Sequence, residues 1–149
     1  MTRLMRRGRL PLAILAVWLT IKAPVATEPL LIGCIDVPAQ SAVVSRWGFY
    51  AAGWIFRSDN GALPDAVAVG FFNRDTQQWF HPEWWQVNAG IYRPDVHAAF
   101  ASALPALGDY AGYFIYTVPP PPGNWDMVIS WATYDGGTWN DWRHLTFVD

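Results

Sequence analysis

Turn-forming residues interrupt this sequence at short intervals, between stretches rich in β-branched and aromatic residues. The clearest turns are Asp59-Asn60-Gly61 and Asp135-Gly136-Gly137, because Asn-Gly and Asp-Gly pairs favour tight connections between antiparallel strands. Such signals recur roughly every ten residues, a spacing typical of sandwiches and barrels. Hydrophobic residues make up 52% of the chain, which suffices to bury a core and argues against disorder. The sequence therefore predicts an all-β fold.

Alternation of apolar and small or polar residues indicates which side chains face the core. Val67, Val69 and Phe71 recur at every second position of one stretch, as do Met127, Ile129 and Trp131 of another. Because side chains of a strand point to opposite faces in turn, each set shares one face. Leu145 and Phe147 are predicted to point inward in the same way. The predicted strands occupy residues 41–45, 49–56, 66–72, 78–88 (as one strand or a pair around Pro82), 110–118, 125–134 and 138–149.

Residues 95–104 depart from this pattern. Val96, Phe100 and Leu104 recur at helical spacing, and Asp95 precedes them as a predicted N-cap. We expect one short helical connection here, ended by Pro105.

The charges of the chain are divided between two regions. The first 22 residues hold five basic residues and no acidic one, whereas the five arginines and twelve acidic residues that follow leave −7. An acidic body with scattered arginines argues against nucleic acid as a partner, which needs a basic face. Residues 10–21 are almost entirely apolar, too short to span a bilayer but suited to a signal peptide. Residues 1–27 are therefore predicted to be a signal peptide or, alternatively, a retained N-terminal membrane anchor.

Five short motifs occur in order along the rest of the chain. They are Gly33-Cys34-Ile35-Asp36-Val37-Pro38, Gly53-Trp54, Gly90-Ile91-Tyr92-Arg93-Pro94-Asp95-Val96, Ala111-Gly112-Tyr113 and Trp131-Ala132-Thr133-Tyr134-Asp135-Gly136-Gly137. Together they resemble the bacterial immunoglobulin-like β-sandwich domains of exported and cell-envelope proteins, which are often accessory modules of membrane glycosyltransferases.

The resemblance implies an immunoglobulin-like antiparallel sandwich of about seven strands over residues 33–149. It also implies structural roles for the motif residues Asp36, Pro38, Gly53, Trp54, Arg93, Pro94, Asp95 and Gly112. For Arg93 and Asp95 an alternative is a binding pair for a polar ligand, since Pro94 fixes the backbone between them. The structural interpretation has Arg93 pair with a carboxylate or carbonyl oxygens at a corner of the sandwich.

Cys34 is the single cysteine, so no internal disulfide, CxxC pair or cysteine-based zinc site can form. The preceding residues also suit a lipobox, which would make Cys34 a lipid-attachment site. However, Cys34 lies thirteen positions after the last residue of the leader's apolar stretch, Ile21, so a strand residue is the favoured interpretation.

No catalytic motif is present. The three histidines do not form a metal-binding pair at helical spacing, and no nucleophile elbow or phosphate-binding loop occurs. His81 and Glu83 are close in sequence, but such a pair is common in solvated loops. Asp135, Asn140 and Asp141 suggest calcium as an alternative to ordinary turn chemistry. We expect no enzyme activity, no metal and no cofactor.

Nine tryptophans follow the leader. Trp54 and Trp131 lie on predicted strands and are expected in the core. The candidate ligand-binding residues are Trp79, Trp84, Trp85, Tyr92 and Trp139, because exposed aromatic rings stack on sugars and also build protein interfaces. The alternative is that these rings fill the interior.

The sequence thus predicts a non-catalytic, exported immunoglobulin-like module of the bacterial envelope with a structural or protein-interaction role. The alternative is a carbohydrate-binding module that uses surface tryptophans. The expected partners are another envelope protein or an envelope polysaccharide. Contact with a membrane is expected only through an uncleaved N-terminal segment.

Overall fold

A computed structural model describes residues 31–149, so the predicted leader, residues 1–27, lies outside the described residues. The elements in chain order are β1 (Leu31–Val37), β2 (Ala42–Ser45), β3 (Tyr50–Arg57), β4 (Ala66–Asn73), β5 (Gln78–Phe80), β6 (Trp85–Ile91), α1 (Pro94–Phe100), β7 (Gly112–Thr117), β8 (Gly123–Ala132) and β9 (Thr138–Val148). Over this part of the chain, no helix has the length and apolar character needed to cross a membrane.

The strands form two sheets that pack face to face. One sheet has the order β1-β3-β7-β6 and the other has the order β2-β9-β8-β4-β5. The first sheet corresponds to the ABED sheet of an immunoglobulin-like sandwich, with β1, β3, β7 and β6 as strands A, B, E and D. The second corresponds to the GFC sheet, with β9, β8 and β4 as strands G, F and C and with β2 and β5 added at its two edges. The predicted all-β sandwich is confirmed.

Two details differ from the expectation. Residues 31–149 form nine strands where about seven were predicted, because β1 precedes the predicted strand at 41–45 and residues 78–88 form two strands, one in each sheet. The sandwich is also not wholly antiparallel, since β2 pairs in parallel with β9. The chain crosses from one sheet to the other between β1 and β2 and again between β5 and β6, and the second crossing agrees with the predicted alternative of a strand pair around Pro82.

The main core lies between the sheets and follows the predicted alternation. Phe71, Met127, Ile129, Leu145 and Phe147 are all buried in it. Trp131 joins the same cluster, as predicted. Inward positions are apolar because removing such side chains from water is the main favourable contribution to folding.

A second, smaller core covers part of the outer face of the four-stranded sheet. Phe56 on β3 is buried there against Val96 of α1 and Leu107 of the following loop. Trp54 packs on this cluster and not between the sheets. The expectation that Trp54 belongs to a core therefore holds, but for the outer core.

The helix is shorter than the sequence suggested, and its predicted N-cap is wrong. Pro94 occupies the first helical position, so Arg93 is the N-cap residue and Asp95 falls in the first turn. Proline is favoured at that position because the missing N–H would have no partner in the helix. α1 ends at Phe100, and turns continue to Leu104.

Candidate functional site

Arg93 connects three segments at one corner of the four-stranded sheet. Its guanidinium group donates two hydrogen bonds to Asp95, at 2.7 and 2.9 Å, and a third to Asp36 at 2.6 Å. Asp36 is near the end of β1, and Asp95 is in α1, so the arginine fastens the helix to the sheet. The guanidinium is occupied by these carboxylates, which favours the structural interpretation over a polar-ligand pair.

The Arg93–Asp95 pair predicts a pH dependence of stability. Hydrogen bonding from Arg93 lowers the pKa of Asp95 from 3.8 to about 2. As the pH falls, the Asp95 carboxylate is therefore protonated at a higher pH in the unfolded chain than in the folded one. The pair stabilises the fold above about pH 4 and loses that effect as the pH falls towards 2. In thermal unfolding between pH 4 and pH 2, Asp95→Asn should lose less stability than the wild type. Glu83→Gln, an exposed acidic residue outside these ion pairs, serves as the control; identical slopes for Asp95→Asn and the wild type would contradict the prediction.

Two other motif residues are glycines at positions where a neighbouring part of the protein leaves no room for a Cβ. Gly53 lies between β1 and β7, where an added Cβ would be 2.0 Å from the carbonyl oxygen of Cys34. At Gly112 an added Cβ would be 2.8 Å from Cγ of Arg93. Pro38 follows β1 through a cis peptide bond. All of these positions belong to the framework of the sandwich.

Cys34 lies within β1, opposite Trp54 of β3. Burial is the main cause that raises the pKa of its thiol, with the nearby Asp36 carboxylate adding to the shift. A raised pKa disfavours the reactive thiolate. The side chain thus has the surroundings of a strand residue.

The five candidate aromatic residues do not form one surface. Trp139 is half-buried against the main core. Tyr92 lies beyond the far end of β6 from Trp85, next to Tyr110, with the ring centres 5.6 Å apart. Trp79 and Trp84 are exposed but line different concavities. Two surfaces therefore replace the single cluster that the sequence suggested.

The first surface lies at the end of the sandwich where β3 begins and β7 ends. We call it the end surface, and it consists of Trp47, Tyr50, Trp84, Tyr116 and Arg46. Trp47 is 85% exposed. A concavity of about 260 Å³ separates Arg46 from Trp84 and Tyr116, and it shares Gly48 and Phe49 with a second concavity beside Trp47 and Tyr50.

Contacts with the framework hold the end surface in place. The Nε of Arg46 donates to the carbonyl oxygen of Pro120 at 2.9 Å, and its Nη1 pairs with Asp149 at 3.2 Å. The Thr117 hydroxyl donates to the carbonyl oxygen of Trp84 at 3.3 Å. Tyr50 stacks on Phe114 with ring centres 4.5 Å apart.

Sequence reasoning missed Trp47, Tyr50 and Tyr116. Tyr116 belongs to β7, whose residues are apolar or aromatic on both faces, so period-two alternation does not reveal its outward direction. One signal was available for Trp47: it follows Arg46 and precedes Gly48 in a turn, where a large side chain cannot be part of a strand face.

The second surface is the outer face of the five-stranded sheet, and we call it the trough. Its floor consists of the small residues Ala66, Ala68 and Gly70 on β4 and Ser130 and Ala132 on β8, together with Val128. Two concavities of about 290 and 140 Å³ meet at Ala68 and Ser130.

Tryptophans stand on both sides of the trough. Trp79 of β5 lies over Gly70, since an added Cβ there would be 3.2 Å from its ring, and it stacks on His81 at 5.8 Å. Trp142 of β9 is paired in register with Val128 of β8, so both point to the same outer face. Trp79 and Trp142 are 49% and 50% exposed.

At one end of the trough, Asp126 is paired with Arg74 and lies beside His144. The Nε of Arg74 donates to both carboxylate oxygens of Asp126, at 2.8 and 2.9 Å. The Nδ1 of His144 lies 3.1 Å from the same carboxylate. Asp126 and His144 are paired in register on the outer face.

The residues considered for metal binding are engaged in other contacts. Within residues 31–149, no group of three or more histidine, cysteine or acidic side chains is arranged to hold a metal ion. Of the residues considered for calcium, Asp135 pairs with Arg57 and Asp141 pairs with Arg143. His81 is stacked on Trp79.

Comparison with models of known protein families gives no match for this chain, and comparison with curated protein sequences gives none either. The resemblance to envelope immunoglobulin-like domains therefore stays a prediction. The functional argument rests on the two surfaces described above.

Proposed function

We propose that this chain is a non-catalytic immunoglobulin-like module of the bacterial envelope that binds another envelope protein through the end surface. The observation that carries the proposal is the exposure of Trp47 and Trp84 around concavities that also hold Arg46. Tryptophan, tyrosine and arginine are the residues that dominate binding energy in protein interfaces.

The cost of exposing these rings supports an interface. Large aromatic side chains contribute most when they are buried, and a group of them on the surface loses that contribution unless a partner covers it. The contacts of Arg46 and Tyr50 order these side chains before binding. Binding a partner would therefore cost little side-chain entropy. Export to the envelope is proposed from the basic, apolar leader.

Photo-cross-linking tests the proposal in the natural host. A photoreactive phenylalanine analogue placed at position 47 or 84 of the full chain should give a discrete adduct with one envelope protein. The same analogue at position 134 is the control, because Tyr134 is 92% exposed in the turn between β8 and β9. That turn lies at the opposite end of the sandwich.

The adduct should also weaken when Arg46→Ala is combined with the analogue at position 84, since the arginine is part of the same surface. Failure to form an adduct at both positions, or the same adducts from position 134, would contradict a protein-binding role for the end surface.

A further inference from the structure

The trough lies on a different part of the molecule from the end surface, and its lining has a different chemistry. We propose that the trough binds an uncharged polysaccharide, with Trp79 and Trp142 stacking on its sugar rings. This site does not depend on the proposed protein contact.

The shape of the trough follows from the side chains on neighbouring strands. Most residues that β4 and β8 present along its floor are small, with Val128 as the larger exception between Gly70 and Trp142, and large rings rise from β5 and β9. β5 pairs with residues 71–73 of β4, at one end of the trough, and three strand spacings of about 4.8 Å place β9 and β5 roughly 14 Å apart there. From Ala66 to Gly70 its floor is about 13 Å long, at 3.3 Å per residue.

The two tryptophans supply the contacts that sugars need. A pyranose ring presents C–H groups on its flat faces, and the negative face of an aromatic ring attracts them. Each indole is about half-exposed, so part of each ring is accessible to a ligand. Trp79 is further fixed by Phe72, at 5.3 Å between ring centres, and by His81.

Polar groups of the trough match hydroxyls. Ser130 and Asn140 are paired in register on the outer face, and Thr138 lies beside them on β9. A hydroxyl and an amide can both donate and accept hydrogen bonds, as sugar hydroxyls do. The floor thus offers hydrogen bonds between the aromatic walls.

The charges of the chain and of the trough lining favour an uncharged ligand. Residues 23–149 carry −7 in all, which disfavours an acidic polysaccharide. On the outward positions of the strands that form the trough, the carboxylate is that of Asp126, and Arg74 already pairs with it. No unpaired carboxylate is therefore offered to a cationic ligand there. An uncharged chain is complementary to this lining.

The full chain should be tested by affinity electrophoresis and titration calorimetry. The neutral probes are hydroxyethylcellulose, galactomannan and dextran, and the acidic probes are alginate and heparin. We expect binding to at least one neutral polysaccharide and none to the acidic ones. Trp79→Ala and Trp142→Ala should each weaken it about tenfold or more, as loss of a central aromatic contact does.

Matched variants separate this site from other causes. Trp84→Ala and Trp47→Ala remove rings of the end surface that are at least as exposed as those of the trough, and they should leave polysaccharide binding unchanged. Trp79→Phe and Trp142→Phe keep an aromatic face and should retain part of the affinity, which excludes misfolding as the explanation. The proposal is overturned if no neutral polysaccharide binds, if the acidic ones bind instead, or if only the end-surface variants reduce binding. The cross-linking result at position 47 is unaffected by any of these outcomes.

Discussion

Replacing Gly53 with alanine is expected to lower the free energy of unfolding by about 3 kcal/mol or more, the upper range of overpacking effects. The new Cβ would lie 2.0 Å from the carbonyl oxygen of Cys34 and 2.8 Å from the Tyr113 hydroxyl. The first neighbour is backbone, held in β1 by its pairing with β3. Relief would require the two strands to move apart, which breaks the register of the four-stranded sheet.

Chemical denaturation of the full chain measures this effect. Gly108→Ala is the control, because a Cβ at Gly108 meets nothing within 4 Å and its backbone is not in the left-handed region. The control should change stability by less than about 0.5 kcal/mol, like most surface substitutions. A wild-type midpoint for Gly53→Ala would mean that β1 can move aside and that the close approach is not required.

Gly53 shows what a motif can and cannot predict. The resemblance placed Gly53 and Trp54 among the structural residues, and their surroundings agree with that role. The reason for each lies in distant parts of the chain: Cys34 and Tyr113 surround the glycine, and Phe100 contacts the tryptophan. Sequence spacing contains no information on these contacts, because they depend on which strands become neighbours.

Alternation predicted the interior well where one face of a strand is covered. Phe71, Ile129 and Leu145 point inward as expected, since β4, β8 and β9 have the trough or solvent on their other side. It was less informative for β3, where apolar residues occupy both faces. Phe56 faces the second core and Ile55 faces the first, so no alternation is visible there.

The candidate aromatic residues do not share one surface, and the reason is geometric. Trp79 and Trp84 are five residues apart, but the chain crosses from the five-stranded to the four-stranded sheet between them. Their side chains therefore belong to different surfaces. Trp142, which faces the trough with Trp79, is distant in sequence and joins it only through the pairing of β9, β8 and β4.

Small residues are the sequence signal that could have identified the trough. Ala66, Ala68 and Gly70 are the first three outward residues of β4, before Phe72, and they alternate with the large inward residues of the same strand. The alternation that places the large residues of β4 in the core also places a run of small residues on its other face, and such a run indicates a recessed outer face. Which strands border that face depends on sheet order, which the sequence alone did not determine.

The largest loss of stability is expected for Phe71→Ala, at about 3–5 kcal/mol. Phe71 is completely buried between the sheets. Its ring packs edge-on against Phe147 at 5.6 Å between ring centres, and contacts Phe49 and Phe80 as well. Alanine would leave a cavity that these rings cannot close without moving their strands. The variant therefore loses both the free energy gained by removing the phenyl ring from water and the packing contacts of that ring.

Phe72→Ala is the matched control, because it makes the same substitution at the next position, on the opposite face of β4. Phe72 is half-buried beside Trp79, so its loss should cost only about 1 kcal/mol of apolar burial. Urea denaturation followed by circular dichroism should separate the midpoints of the two variants clearly. Equal losses would contradict the assignment of Phe71 to the inter-sheet core and of Phe72 to the outer face, and with it the position of the trough.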